Sequence, residues 1–236
     1  MRLDLGCAEF CLPGGMEEKL RACRRHGLWM ELANTGERDL SVFGSWDVEV
    51  RTVQAYLLHR YSLVGRGRGE RRAALEHVRA TVDMAQGIGA GYALIVPGYG
   101  HDFSEDAEKR LDIALRELAE YAADRGVAIL VEALSPRKTG LLPSLGAVEK
   151  FLRSMGEENL LLAGDTFHAF EAGEDVLEYR ETMAELHLKD SDSLPPGRGG
   201  LDFKRILGKP WKQLCLEYRG DGRELEAALA FLASLG

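Results

Sequence analysis

Short apolar runs alternate with longer amphipathic stretches along the whole chain. The short runs are RLDLGCAEF near the start, LWMELA at 28–33, VEVRTVQAYL at 48–57, YALIVPG at 92–98, VAILVEAL at 127–134, NLLLAGDTF at 159–167, AELHLKD at 184–190 and QLCLEYR at 213–219. Apolar runs of this length, broken by glycine or polar residues, predict strands. Between most of them the apolar residues fall at helical spacing. MEEKLRACRRHG ends on a glycine after a basic turn, a good helix stop. RRAALEHVRATVDMAQGIGA and SEDAEKRLDIALRELAEYAADRG predict two long helices, the second with Ser104 as cap and Glu105 and Asp106 in an acidic first turn. DFKRILG predicts a short helix, and GRELEAALAFLASLG closes the chain.

Strands alternating with helices, with no hairpin signal, predict parallel pairing. The expected fold is α/β, a parallel eight-stranded (β/α)8 TIM barrel in a single domain covering 1–236. An open doubly wound sheet is the alternative arrangement of the same elements. No linker of Pro, Ser or Gly is long enough to divide the chain.

Composition narrows the class of partner. The 236 residues carry a formal net charge of −8, which disfavours binding to a phosphate backbone, so no nucleic acid is expected. No stretch approaches the roughly 18 apolar residues of a membrane span. The start, MRLDLGCAEF, has acidic residues where a signal peptide needs an apolar core, so a cytoplasmic protein is expected. Cys7, Cys11, Cys23 and Cys215 form no C-x-x-C pair and read as free thiols.

In a barrel of this kind the chemistry sits at the carboxyl ends of the strands. The last four predicted strands each carry a metal-capable residue there: Glu132, Asp165, His187 and Glu217. Side chains alternate along a strand with period two. In ELHLKD, Leu186 and Leu188 suit the helix layer, which turns Glu185, His187 and Lys189 toward the barrel axis. In LCLEY, Leu214, Leu216 and Tyr218 go outward, and Glu217 points inward with Cys215. In ILVEA, Ile129 and Val131 go outward and Glu132 inward. The four residues can therefore converge at one rim.

Three carboxylates cannot share a small space without compensation, because repulsion and desolvation would protonate or expel one of them. A divalent cation resolves the conflict. Three carboxylates and one imidazole suit one Mn²⁺, Mg²⁺ or Co²⁺ ion, with Zn²⁺ a further candidate. His168 would point at the same cavity from the loop after the strand.

These residues resemble a known family. The chain is similar to the xylose isomerase-like TIM barrels, in particular to the sugar (phosphate) isomerase/epimerase group. That group includes ketose 3-epimerases, hydroxypyruvate isomerase and inosose dehydratase, and endonuclease IV shares the fold. The resemblance is carried by DTFH at 165–168, by HLKDSDSLPPGRGGLDFKRIL at 187–207 and by LEY at 216–218. It implies metal ligands Glu132, Asp165, His187 and Glu217, with Glu132 and Glu217 doubling as acid/base groups. It also implies substrate contacts by His168 and by Glu31 on the second strand. Lys189 and the loop residue Arg198 complete the expected substrate side. One departure is plain: the 3-epimerases carry an arginine six residues after the metal histidine, and here that position is Ser193.

The resemblance implies isomerisation or epimerisation of a small sugar, sugar phosphate or hydroxy-keto compound. The C–H beside a carbonyl is removed by a carboxylate, and a metal-stabilised enediolate forms. Because His187 must be neutral to bind metal, activity is expected to fall as pH drops through about 6.5. An inosose dehydratase-like lyase would use the same ligands and then expel hydroxide. An endonuclease IV-like nuclease fits less well: Val96 stands where that family has a histidine, and no histidine follows His187.

The remaining features read as ordinary surface. RGRGERR at 66–72 predicts a solvated loop and helix start; Arg198, in PPGRGG, is the better binder of a phosphate or carboxylate. His59 and His101 read as loop residues, and His26 and His77 as helix surface. The outer helices could support a homo-oligomer.

Overall fold

The computed structural model describes residues 3–36, 38–218, 220 and 222–235. Arg2, Arg219 and Gly236, at the edges of predicted elements, lie outside them. Among the described residues, eight strands pair in chain order and close into a parallel barrel. They are β1 Leu5–Ala8, β2 Trp29–Ala33, β3 Val50–Gln54, β4 Tyr92–Ile95, β5 Ala128–Glu132, β6 Leu160–Asp165, β7 Met183–Leu188 and β8 Leu214–Leu216. The helices are α1 Met16–His26, α2 Arg68–Ile88, α3 Ala107–Ala123, α4 Leu145–Met155, α5 Thr166–Ala172, α6 Phe203–Leu207 and α7 Gly222–Ala233. The closure from β8 back to β1, with Leu5 opposite Leu214, decides against the open sheet. None of these helices is long and apolar enough to cross a membrane.

Each predicted strand is present, trimmed at its ends. Two helices were not predicted. Ser144 caps α4 by accepting from the Ala147 N–H at 3.2 Å. The helix follows the loop SPRKTGLLPS, whose prolines mask its approach. The seven-residue α5 starts directly from β6, so His168 stands on a helix and not on a loop. At α3 the expected cap is displaced. The N-cap is Asp106, and Ser104 instead turns its hydroxyl to Arg110. Burial also corrects His77, which is 9% exposed and accepts from the Leu57 N–H at 3.2 Å. The four cysteines are free and buried, as expected.

Two apolar regions build the molecule. The larger fills the space between strands and helices and contains Ile129, Val131, Leu186, Leu188, Leu214, Leu216 and Tyr218, the outward residues that the pleat requires. The smaller lies inside the barrel: Leu94, Leu130, Ala163 and Ala184, with Tyr92 and Leu161 against them. At Gly6 a Cβ would come within 2.3 Å of the Trp29 ring, so the indole takes the space that any β1 side chain would need there. Apolar side chains from β4, β5 and β6 thus fill one part of the interior. On β2, β3 and β7, polar residues enter the interior instead: Glu31, Thr52, Gln54, Glu185 and His187.

Above β1, Glu9 ties the first two strands together. Its carboxylate accepts from the Ala33 N–H at 3.1 Å and pairs with Arg38 at 2.7 Å and Lys19 at 3.2 Å. Burial alone would push this carboxyl up, but Arg38 and Lys19 outweigh it and hold it below its ordinary value. A depressed carboxyl stabilises the fold above the unfolded pKa, and that stability fades as pH falls through the folded one. Glu9→Gln is expected to cost about 1–3 kcal/mol at neutral pH. The gap should narrow below about pH 4. Denaturant unfolding of both proteins at the two pH values reads this, and a gap independent of pH would contradict it.

Candidate metal centre

Three strand ends and the residue after β8 meet above the barrel interior. One ligand atom each from Glu132, Asp165, His187 and Glu217 lies within 4.8 Å of the others, and all four residues are buried. The sequence expectation that these four converge is met. Asp165 has a double task. Its Oδ1 caps α5, accepting from the Phe167 N–H at 2.8 Å and the His168 N–H at 2.9 Å. That bond pair orients the carboxylate and leaves Oδ2 free to face the cluster.

Two atoms at this point lack the partners that buried polar atoms ordinarily have. Asp165 Oδ2 and His187 Nδ1 have no hydrogen bond. Around them stand charges without hydrogen-bond geometry: the Lys189 ammonium is 3.0 Å from Asp165 Oδ2, and Glu132 and Glu217 oxygens are 3.4 and 3.7 Å from His187 Nδ1. An imidazole nitrogen and a carboxylate oxygen, buried, without a hydrogen bond and gathered with two further carboxylates, fit a metal ligand set. The donor chemistry, three carboxylates and one imidazole, suits a hard or borderline divalent ion.

The other imidazole nitrogen is held from below. His187 Nε2 lies 3.1 Å from Glu31 Oε2 and 3.2 Å from Glu185 Oε1. Glu185 is in turn fixed by the Thr52 hydroxyl, which donates to Oε2 at 2.6 Å. This places Glu31 behind His187 and not over the open cavity. A carboxylate on the far nitrogen fixes the tautomer that frees Nδ1 for a metal. The pleat turns Glu185 inward, and the structure adds its role as the support of His187. The signal was there: Glu185 stands two residues before His187, on the same face of β7.

The charges are strongly coupled. Burial opposes ionisation of His187, yet Glu31 and then Glu217 hold it charged well above the ordinary range. Burial pushes the Glu31 carboxyl up, against the pull of His187. Burial would also raise Glu217, but Lys189 and His187 hold it down at about 2, so it is a carboxylate at neutral pH. Its second oxygen lies 3.4 Å from the Gln54 amide.

His168 is buried, its Nδ1 has no hydrogen bond, and its charge is felt at Glu217. Glu171 lies 3.9 Å from that nitrogen and is itself held by Ser135 at 2.6 Å and Arg137 at 2.8 Å. Tyr99, not singled out in the sequence, has its phenol pushed up by burial and then by Glu132 and Glu217, although 46% of the residue is exposed. Arg198 is exposed on the loop after β7 with no side-chain partner among the described residues. His59 and His101 are exposed and bond to backbone carbonyls of Tyr56 and Pro136.

Comparison with known proteins agrees with this architecture. The model of the xylose isomerase-like TIM barrels matches residues 13–233, and the chain belongs to that family. The fructoselysine 3-epimerases of Shigella flexneri and Escherichia coli O157:H7 are each 26% identical to it over 148 residues. Those alignments cover 58% of this chain and 54% of each relative, so they span about half the length of these curated relatives. Among solved structures, 3-keto-D-glucoside 4-epimerase from E. coli superposes with a TM-score of 0.82 at 17% identity, covering 99% of both chains. A protein of Thermus thermophilus, from a crystal soaked in zinc chloride, superposes with a TM-score of 0.79 at 23% identity, covering 99% of this chain and 98% of its own. Likeness at these identities establishes the shared fold.

Proposed function

We propose that this protein is a divalent-metal-dependent isomerase or epimerase of a small sugar, sugar phosphate or related hydroxy-keto compound. The observation that carries the reading is the gathering of Glu132, Asp165, His187 and Glu217, with Asp165 Oδ2 and His187 Nδ1 buried and without a hydrogen bond. Family membership and the partial alignment with 3-epimerases support it. Glu132, Asp165, His187 and Glu217 would hold the ion. A divalent cation there supplies positive charge to neutralise the oxyanion that forms when an α-proton leaves.

The protein's own residues do the rest. Glu217 is a carboxylate at neutral pH and can accept the α-proton at Oε1 or Oε2. Glu132 gathers with the same cluster and, once protonated from solvent, would give its proton to the opposite face of the carbon and invert it; the two carboxyls then return to their starting states by proton exchange with water. His168 and Lys189 present a ring nitrogen and an ammonium to substrate oxygens, and Arg198 can reach a terminal phosphate or carboxylate from its loop. Glu31, expected at the substrate, acts in this reading through His187.

The test is a panel of ketoses and ketose phosphates in deuterated water with product analysis. Deuterium at a single carbon with an epimer or isomer as product supports the reading. Loss of water from the product would establish the dehydratase-type lyase instead. No exchange at any α-carbon across the panel contradicts both.

Glu185 gives a second check. Glu185→Gln keeps an oxygen for the His187 N–H and removes the charge behind it. Affinity for Mn²⁺ is expected to fall about 10–100-fold. Calorimetric titration measures this, and an unchanged affinity would show that the carboxylate does not tune His187.

A further inference from the structure

A buried lysine is ion-paired inside the proposed metal centre. Lys189 follows β7, and the residue is 7% exposed. Its ammonium sits 2.6 Å from Glu217 Oε2 and 3.0 Å from Asp165 Oδ2. These are two of the oxygens that a divalent ion would use. An ammonium in contact with both leaves no room for a metal between the same atoms, and two cations held that close repel each other strongly in a buried site. The backbone of Lys189 is fixed: its N–H donates to the Thr166 hydroxyl at 2.9 Å, and its carbonyl accepts from that hydroxyl at 2.5 Å. Only the four-carbon side chain can move.

We propose that Lys189 is a built-in counter-cation of the metal centre, occupying ground between Asp165 and Glu217 when metal is absent and swinging out toward the substrate when metal binds. The inference rests on the metal reading above and deepens it. Without metal or Lys189, the three carboxylates Glu132, Asp165 and Glu217 would share a buried space with only the His187 ring as counter-charge, which costs stability. Lys189 removes that cost in the metal-free chain. One side chain would then serve in turn as placeholder and as a positive charge for a substrate oxygen. A further consequence is that metal affinity is set by a competition internal to the protein.

The experiment uses the full chain stripped of metal, as wild type and as Lys189→Met. Mn²⁺ is titrated by calorimetry, and Tm is measured with and without saturating Mn²⁺. Lys189→Met is expected to bind Mn²⁺ about 10–100-fold more tightly than wild type. Its metal-free Tm should be lower, with the deficit largely recovered on Mn²⁺ addition. Equal or weaker binding by the variant, with an unchanged metal-free Tm, overturns the proposal while the metal reading stands. Absence of Mn²⁺ binding by wild type overturns the metal reading itself. If the variant folds only with Mn²⁺, the proposal is supported. If it folds under neither condition, pulse acetylation of wild type decides: modification of Lys189 should rise several-fold when Mn²⁺ is added, and an unchanged yield overturns the proposal.

Discussion

Glu217→Gln is expected to lower kcat by about 10²–10⁴-fold even at saturating metal. The glutamine keeps the shape of the side chain and loses the base. Lys189 and His187 hold the Glu217 carboxyl down at about 2, so at neutral pH it is ionised. The companion variant Glu132→Gln distinguishes two forms of the chemistry. If the enzyme inverts a carbon, each variant blocks interconversion, yet each still exchanges the α-hydrogen of the epimer facing the surviving glutamate. If one carboxylate shuttles the proton, a single variant loses all exchange and the other retains it. Hydrogen exchange into each epimer, followed by NMR in deuterated water, reads the difference. Full activity in both variants would remove the two glutamates from the mechanism.

The second large effect is expected at Asp165, where one side chain serves both helix and metal. Asp165→Asn keeps an oxygen for the Phe167 and His168 N–H groups but loses the anionic ligand. Partners behind a ligand are worth about 10–100-fold in metal affinity, and loss of a ligand should exceed the upper end of that range. The fold should remain. Asp165→Ala loses the cap as well and should be less stable than Asp165→Asn by about 1 kcal/mol. Paired Mn²⁺ titrations and thermal melts separate the roles. Wild-type affinity in Asp165→Asn would mean that this carboxylate is only a cap.

The barrel was legible because each strand is a compact apolar run and each long helix repeats its apolar face. The missed elements are those in which local signals overlap. α5 begins inside the segment GDTFHAF, so its seven residues merge with the end of β6. α4 lies behind a loop rich in proline and glycine. The four candidate ligands were legible for a different reason. The pleat fixes which side chains face inward, and a polar residue near the end of an inward series stands out.

What the pleat does not give is height along the barrel axis. Glu185, His187 and Lys189 share one face of β7, yet they do three different things. Glu185 supports His187 from beneath, His187 turns Nδ1 to the cluster, and Lys189 reaches across to Asp165 and Glu217. Glu31 shows the same limit. Its inward direction is set by β2, but only the closed barrel brings it to 3.1 Å from His187 on the side away from the cluster. Register between strands distant in sequence decided these roles.

The central claim is that four strand-end residues form one divalent metal site. Elemental analysis of the purified protein after reconstitution, alongside Asp165→Asn, tests it most directly. The account predicts about one divalent ion per chain in the wild type and a marked loss in the variant. A wild-type protein that holds no divalent ion after reconstitution would contradict it.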